Sequence, residues 1–485
     1  MLLLGLLLIS HTGRSQTTTF PDSTRYDAAS ILADFDFLHQ ALRDGHPAWG
    51  HYYPRDSMEH WFAQVRATLG VPHSERAFRE KLYPLIDPWA CAHTRLWLSK
   101  ACTKRQKKQD RADTPRRYPP FRASYLDEKL YLTATTDSTH LVPGSEILRI
   151  NGRAASDIIE DLRRRFTSDG YNQSNTLALI RYNFDGYYRF HFGEWPQYEL
   201  DLVLASGDTV QQRVAALETT LDKRLAASKK RRAAARIGGT EILRKKGYQL
   251  SWLAQDSSVS VMDIRGFRLW RGRSFYRKAF RHLERAGNEQ LVIDLRNNGG
   301  GAIQDAFRLL SYLVDEPVEI LAERRRGKAP YERYLNQRLV RKLVSALVLP
   351  FSFKKRKRED RLEISGTAQP RTKHHYGGRV YVLVNGRTFS ASVMVSAFLR
   401  DQNRAVFIGQ ETGGGEKGTN AFFLPKLRLP NTGIRLVFPR YQMTHRVAAQ
   451  DRGRGLVPDY ELSYDLEALL EGRDLELEQL RDLVK

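Results

Sequence analysis

Two stretches of the chain carry residue types whose spacing could do covalent chemistry. The first runs Leu291-Val292-Ile293-Asp294-Leu295-Arg296-Asn297-Asn298-Gly299-Gly300-Gly301, an apolar strand that ends in consecutive glycines. Where no side chains intervene, main-chain N–H groups can approach a ligand and converge on it, which is how an oxyanion hole is made from backbone. On these residues alone a plain glycine-rich turn closing a strand is the better reading. The second runs Val380-Tyr381-Val382-Leu383-Val384-Asn385-Gly386-Arg387-Thr388-Phe389-Ser390-Ala391-Ser392-Val393. A strand ends, a short turn follows and Ser390 stands where a helix starts. The positive end of the helix and the Ala391 N–H there favour negative charge on an oxygen, which suits a nucleophile in acyl transfer. Serine is also a preferred helix N-cap, so this stretch by itself leaves the two roles level.

The elements around them set the frame. Strand-like runs alternate with helical ones from Val259 onward: Val259–Ile264, a helix near Phe275–Ala286, Leu291–Leu295, a helix near Ala302–Leu313, Val380–Val384, a helix over Ala391–Leu399, and Ala405–Ile408. This alternation predicts an α/β core over 250–465, interrupted by an insertion at 324–378 with an amphipathic stretch, Tyr331–Val348. A C-terminal helix follows over 466–485. Upstream, Ile31, Phe35, Leu38 and Leu42 recur at helical spacing, as do Phe78, Leu82, Leu85 and Ile86 behind the cap residue Ser74, giving a small helical domain over 24–102. Between 119 and 215 the pattern is of short strands, with turns at Asn151-Gly152 and Ser206-Gly207-Asp208 and one helix, Ser156–Phe166. The basic stretch 216–249 reads as a linker.

With 485 residues and 41% hydrophobic content the chain can bury more than one core. Its net charge of +23 raises the question of nucleic acid, but much of the excess sits in the runs Lys104–Arg117, Lys223–Arg236 and Lys354–Arg361, which read as solvated loops or linkers, and no nucleic-acid module accompanies them. No nucleic acid is expected as a partner; loose contact with an anionic envelope surface stays open. Cys91 and Cys102 allow one optional bridge, and their number suggests neither a metal cluster nor a thiol active site. The run Leu2–Ile9 is too short to span a membrane and precedes the polar stretch Ser10–Gln16, the pattern of a signal peptide over 1–16. The glycine loop at 409–419 lacks P-loop spacing, and no cofactor is expected.

Taken together, the two glycine- and serine-bearing stretches resemble the tail-specific (C-terminal processing) serine protease family, whose core is similar to that of the tricorn protease and is related in shape to crotonases. The family's Gly-Glu-x-Thr-x-Gly-like loop has its counterpart in Gly409-Gln410-Glu411-Thr412-Gly413-Gly414-Gly415-Glu416-Lys417-Gly418-Thr419, and its closing motif in Gly453-Arg454-Gly455-Leu456-Val457-Pro458-Asp459. Val142–Gly152 resembles the signature of PDZ domains, which capture chain ends by strand addition. The resemblance implies a crotonase/ClpP-like α/β core joined to a PDZ-like domain, polypeptide substrates, export to the periplasm or cell envelope, and Ser390 as nucleophile with Ala391 and Gly300 or Gly301 as oxyanion donors. It offers two bases: Lys417, the lysine of the glycine loop but two residues further from the serine than the family pattern, or His93 in Ala92-His93-Thr94-Arg95-Leu96, which resembles the Gly-His-Thr element of tricorn-like members. His93 is the favoured one, because an imidazole titrates near neutrality. The family's acidic partner would precede Gly453, where this chain has Asp451-Arg452, and Val393 replaces a usual glutamate; these departures motivate an alternative, a catalytically inactive peptide-binding relative.

Overall fold

The computed structural model describes residues 24–110, 115–136, 140–220, 224, 237–325 and 353–484. The expected leader at 1–16, most of the Lys223–Arg236 run and the stretch Tyr331–Val348 lie outside them.

The centre is a seven-stranded sheet in the order Gly238–Lys245, Tyr248–Leu253, Asp256–Ile264, Gln290–Asp294, Arg379–Val384, Val406–Gly409, Tyr460–Glu461. The first three strands pair antiparallel and the rest parallel. Alternate side chains of the buried strands serve two cores. Leu291 and Ile293 pack with Val380, Val382 and Val384 against helices Gly272–Arg285, Ile303–Leu310 and Ala391–Asp401 on one face. Val292, Tyr381, Leu383 and Ile408 meet Leu480 of helix Leu475–Leu483 on the other. A five-stranded antiparallel sheet flanks this core: Phe353–Lys357, Arg361–Ala368, Val318–Arg325, Tyr441–His445, Gly418–Ala421.

The helical unit opens with Ala28–Gly45, capped by Asp27, which accepts from the Ser30 N–H, and continues with Arg55–Ala67 and Glu75–Leu82, the last capped by Ser74. Its core is completed from far along the chain by Leu427, Leu429, Ile434, Leu436 and Phe438. The hairpin that brings them, Lys426–Arg428 with Arg435–Val437, adds Arg95–Trp97 as a third strand. Buried Asp34 pins the hairpin turn by accepting from the backbone N–H of Asn431 and Thr432 and from the Thr432 hydroxyl.

Between 119 and 215 a sheet runs in the order Thr209–Ala215, Gln197–Val203, Glu146–Ile150, Lys129–Thr135, Phe121–Leu126, with Arg153–Ala154 paired to Glu146–Ile150 across the Asn151-Gly152 turn. Both turn residues have positive φ, +51° and +77°, as the tight hairpin requires. This unit has two helices rather than the one expected: Ala155–Arg163, and Ser174–Phe192, which buries Ile180, Phe184 and Tyr188. Asn183 leaves helical geometry inside the second, and the aromatic density around this kink obscures its period of four in the sequence.

Other expectations shift. The C-terminal region is two helices, Leu466–Glu471 and Leu475–Leu483, separated at Gly472, which adopts φ +69°. Residues 238–249 are not linker but enter the central sheet as its edge hairpin. Lys100–Asp110 is helical, and the run from Lys354 forms an edge strand followed by a turn. Cys91 and Cys102 are buried and not joined to each other.

Candidate active site

Ser390 sits at the junction of strand Arg379–Val384 and helix Ala391–Asp401 with φ +59° and ψ −122°, a conformation costly for a residue with a side chain. The turn holds it there. The Thr388 hydroxyl donates to the Leu295 carbonyl across 2.9 Å, the Asn385 amide oxygen accepts from the N–H groups of Asn297 and Arg387 at 3.0 Å, and the Phe389 N–H donates to the Asn298 carbonyl at 3.0 Å. Although Ser390 occupies the N-cap position, its side chain caps nothing. Its Oγ instead lies 3.2 Å from Nε2 of His93.

His93 reaches it from the helical unit, 297 residues away in sequence. Its ring packs on Phe389 with centroids 4.8 Å apart. The turn that presents it is fixed by the Thr94 N–H donating to Cys91 O at 2.9 Å and by the Thr94 hydroxyl paired with His46 Nε2 at 2.7 Å. Burial, reinforced by the Arg95 cation, pushes the His93 pKa down to about 3, so the ring is neutral at physiological pH.

On the far side of the ring stand two residues to which the sequence reading gave no role, Thr419 and Asp169. Thr419 Oγ1 lies 3.4 Å from His93 Nδ1 and donates to Asp169 Oδ2 across 2.6 Å. An ionised carboxylate only accepts, so the threonine proton points to Asp169 and its lone pairs face His93. His93 then carries its proton on Nδ1, leaving Nε2 free to accept from Ser390. The Asn420 carbonyl also draws on the His93 ring proton and opposes the depression of its pKa. Asp169 comes from the β-rich unit, in the loop before helix Ser174–Phe192. Gly170 donates to the Ala90 carbonyl, Tyr171 donates to the Gly453 carbonyl, and a side chain on Gly170 would strike the Gly453 backbone. Asp169 Oδ1 accepts from the Ala92 N–H at 3.0 Å. Burial raises its pKa to about 6 against the hydrogen bonds of Thr419, Ala92 and Gly415.

Of the expected bases, Lys417 is not brought to the serine. Its amine donates to the Val447 carbonyl at 2.7 Å, because Lys417 stands just ahead of strand Gly418–Ala421 and extends along the neighbouring Tyr441–His445 side of that sheet. Gly300 also differs from expectation. Its N–H is held by the Asn298 side chain at 2.9 Å, so the N–H groups turned to no such partner among the described residues are those of Gly301 and of Ala391, the first residue of its helix. Gly300 matters for what it lacks: a Cβ there would lie 2.7 Å from Phe389 O, 2.8 Å from Ala391 N and 2.8 Å from Ser390 Cβ.

The remaining motif residues form supports. Arg296 is buried between Asp294, Asp474 and Glu476, tying the Asp-Leu-Arg stretch to the C-terminal helix. Burial would raise the Asp294 carboxyl, but Arg296 outweighs it and holds the group below its usual range. Glu411 accepts from the Gly455 N–H at 2.8 Å and Thr412 from the Leu456 N–H at 2.8 Å, closing the glycine loop against the Gly453–Asp459 motif. Asp451 accepts from the Gly453 N–H at 2.6 Å, Arg452 donates to the Thr444 hydroxyl, and Val393 is buried in its helix. The carboxylate behind His93 thus comes from a different segment than the family pattern suggests. The signal for it was faint: Thr419 closes the glycine loop, but Asp169 lies in no motif.

The family model of Peptidase family S41 matches residues 258–462, the stretch that carries Ser390, both glycine loops and the closing motif. Those residues are similar to peptidase family S41. A carboxyl-terminal-processing protease of Picosynechococcus sp. is 26% identical over 148 residues, which is 30% of this chain and 27% of that protein. The chain therefore matches little more than a quarter of that relative's length. Among solved structures, mature CPAF superposes with a TM-score of 0.63 at 16% identity, covering 94% of this chain and 97% of that one. Mature CPAF complexed with lactacystin gives 0.61 at 16% identity, covering 94% and 98%. At such identities the likeness is one of fold, and it extends beyond the S41 core to the helical and β-rich units.

Proposed function

We propose that this chain is an exported serine-type endopeptidase that cleaves unstructured polypeptides or protein C-termini through an acyl-enzyme on Ser390. The observation that carries this reading is the 3.2 Å approach of Ser390 Oγ to His93 Nε2, made by a serine whose φ of +59° is held by its turn. Ser390 Oγ attacks the peptide carbonyl and passes its proton to His93 Nε2. The N–H groups of Ala391 and Gly301 receive the negative oxygen as it forms. The protonated His93, its charge offset through Thr419 by Asp169, returns the proton to the leaving amine. Water then repeats the sequence on the ester. The β-rich unit over 119–215, read as PDZ-like, would present a chain end by strand addition. Export to the periplasm or envelope rests on the Leu2–Ile9 run of the sequence. No helix of the described residues is long and apolar enough to cross a membrane.

The test is hydrolysis of an unfolded protein such as casein by the full chain beside Ser390→Ala and His93→Ala. Each variant should lose activity by about 10⁴-fold or more while its melting curve stays close to the parent's. Undiminished hydrolysis by Ser390→Ala would remove the assignment.

A further inference from the structure

The face of His93 turned away from Ser390 gathers a third kind of side chain that the proton path does not use. Cys91 Sγ, a ring nitrogen of His93 and an Asp169 carboxylate oxygen all lie within 4.8 Å of one another, and all three residues are buried. With Nε2 at Ser390 and Nδ1 beside Thr419, Nδ1 is the nitrogen on the Asp169 side. The Cys91 thiol makes a long contact of 3.7 Å to the Asn420 carbonyl and also lies against the Thr94 hydroxyl and the His93 and Thr94 N–H groups. The two segments that supply these donors are locked together by the Ala92–Asp169 and Gly170–Ala90 hydrogen bonds, so the grouping is built into the junction of two units.

We propose that Cys91, His93 and Asp169 form a binding site for a thiophilic divalent cation of the zinc type, and that the ion switches the Ser390 centre off by occupying the Nδ1 lone pair of His93. This rests on His93 serving Ser390 as base. A thiolate, an imidazole and a carboxylate are the donors zinc takes, with bonds of about 2.0–2.3 Å. Donors around one tetrahedral ion then stand about 3.3–3.8 Å apart, so the present spread closes with a side-chain adjustment of about 1 Å. Charge favours the same class of ion: one thiolate and one carboxylate neutralise a dication, which removes the main penalty for burying it. Burial raises the Cys91 thiol to about 12, and a coordinated dication reverses that preference by displacing the proton. The Thr419 hydroxyl and the Asn420 carbonyl border the group and can complete the coordination.

The proton balance gives the effect. On binding, the Cys91 proton leaves to solvent, and the His93 proton moves from Nδ1 to Nε2 while the ring stays neutral. An Nε2 that carries a proton cannot take one from Ser390. The loaded protein is therefore intact in fold and blocked in acyl transfer, and a chelator restores it.

The experiment titrates the full chain with zinc alone, and in parallel with cobalt(II), whose thiolate charge-transfer absorption reports a sulfur ligand. Cobalt should give that absorption in the parent, zinc should abolish it, and zinc should suppress casein hydrolysis reversibly. Cys91→Ser, with Cys91→Ala as a second replacement, should keep basal hydrolysis, lose the absorption and need about tenfold more zinc or above for the same inhibition. Absence of the absorption in the parent overturns the site, as does absorption that survives both replacements and vanishes in Cys102→Ser. Zinc inhibition unchanged in the Cys91 variants overturns the switch. Because the cobalt signal needs no turnover, an inactive parent would count against the peptidase reading and leave the site to be judged on the spectrum.

Discussion

Thr419 donates its hydroxyl proton to Asp169 across 2.6 Å, and this one bond sets the direction of every hydrogen bond from Asp169 to Ser390. A carboxylate placed directly on His93 would fix the ring by charge; here a neutral hydroxyl does so by the position of its lone pairs, with the carboxylate one step behind.

Removing the relay without changing its shape should therefore damage turnover more than binding. Thr419→Val is expected to lower kcat by about 10–100-fold with KM close to the parent's, and Thr419→Ser to recover most of the loss. Asp169→Asn, which offers an N–H where an acceptor is needed, should cost more than Thr419→Val. Steady-state kinetics on one peptide substrate decides; equal kcat in parent and Thr419→Val would leave the threonine with no part in orienting His93.

The acid side of the rate profile should belong to Asp169. His93 is held down to about 3 by burial, outside the working range, whereas burial lifts Asp169 to about 6. As pH falls through about 6, protonation of the carboxylate weakens the chain that fixes the ring, and kcat/KM should decline there. In Asp169→Asn the residual activity should lose this limb. A limb unmoved by the substitution would assign it elsewhere.

Stability should fall in the same region for a different reason. Burial lowers His46, His93 and His191 to about 3 and His445 to about 4, whereas all titrate near 6.5 once unfolded. Between those values the unfolded chain binds more protons, so stability present above pH 6.5 is lost as pH drops, by up to about 1.4 kcal/mol per pH unit for each imidazole. Asp169 acts with the opposite sign between about 6 and 3.8, since its folded state holds the proton more tightly. Burial also raises Asp87, Asp305, Glu416 and Glu476, which act with Asp169, and lowers His39 and His51, which act with the other imidazoles. The large shifts of the four buried rings predict a urea midpoint that declines from pH 6.5 to pH 4. A midpoint level over that range would mean these rings are not buried neutral.

Arg296 offers a purely structural test. Its guanidinium meets Asp294 at 3.0 Å, Asp474 at 2.7 Å and Glu476 at 3.3 Å. Arg296→Met strands two buried carboxylates and should cost about 3–5 kcal/mol in chemical denaturation. Asp294→Asn added to it should return part of that loss, because one stranded charge is gone; a strictly additive double variant would deny the coupling.

The α/β core was legible because Leu291–Ile293 and Val380–Val384 are apolar runs that lead into turns rich in Asn and Gly, the pattern of strands buried on both faces. Basic runs misled in a consistent way. Lys354–Lys357 reads as loop yet forms the edge strand of its sheet, where lysines and arginines face solvent and discourage further pairing. Ser390 and His93 were visible only through motifs, since nothing in their spacing implies contact. Asp169 was invisible because its place depends on glycines of separate segments, Gly170 and Gly453, packing backbone to backbone. Gly300 was found for the right absence and the wrong donor: the Asn298 side chain that takes its N–H lies two residues back, inside the same motif.

The three side chains that the proposed hydrolysis brings together come from three bodies of the molecule: His93 from the helical unit, Asp169 from the β-rich unit and Ser390 from the α/β core. Competence is thus a coincidence rather than a property of any one part. A ribosome releases the base and the acid long before the nucleophile, and none of them acts until the units close on one another. Whatever pries the helical unit from the rest must also draw Leu427, Leu429, Ile434, Leu436 and Phe438 out of its core, so the arming of the site and the packing of that unit are one event.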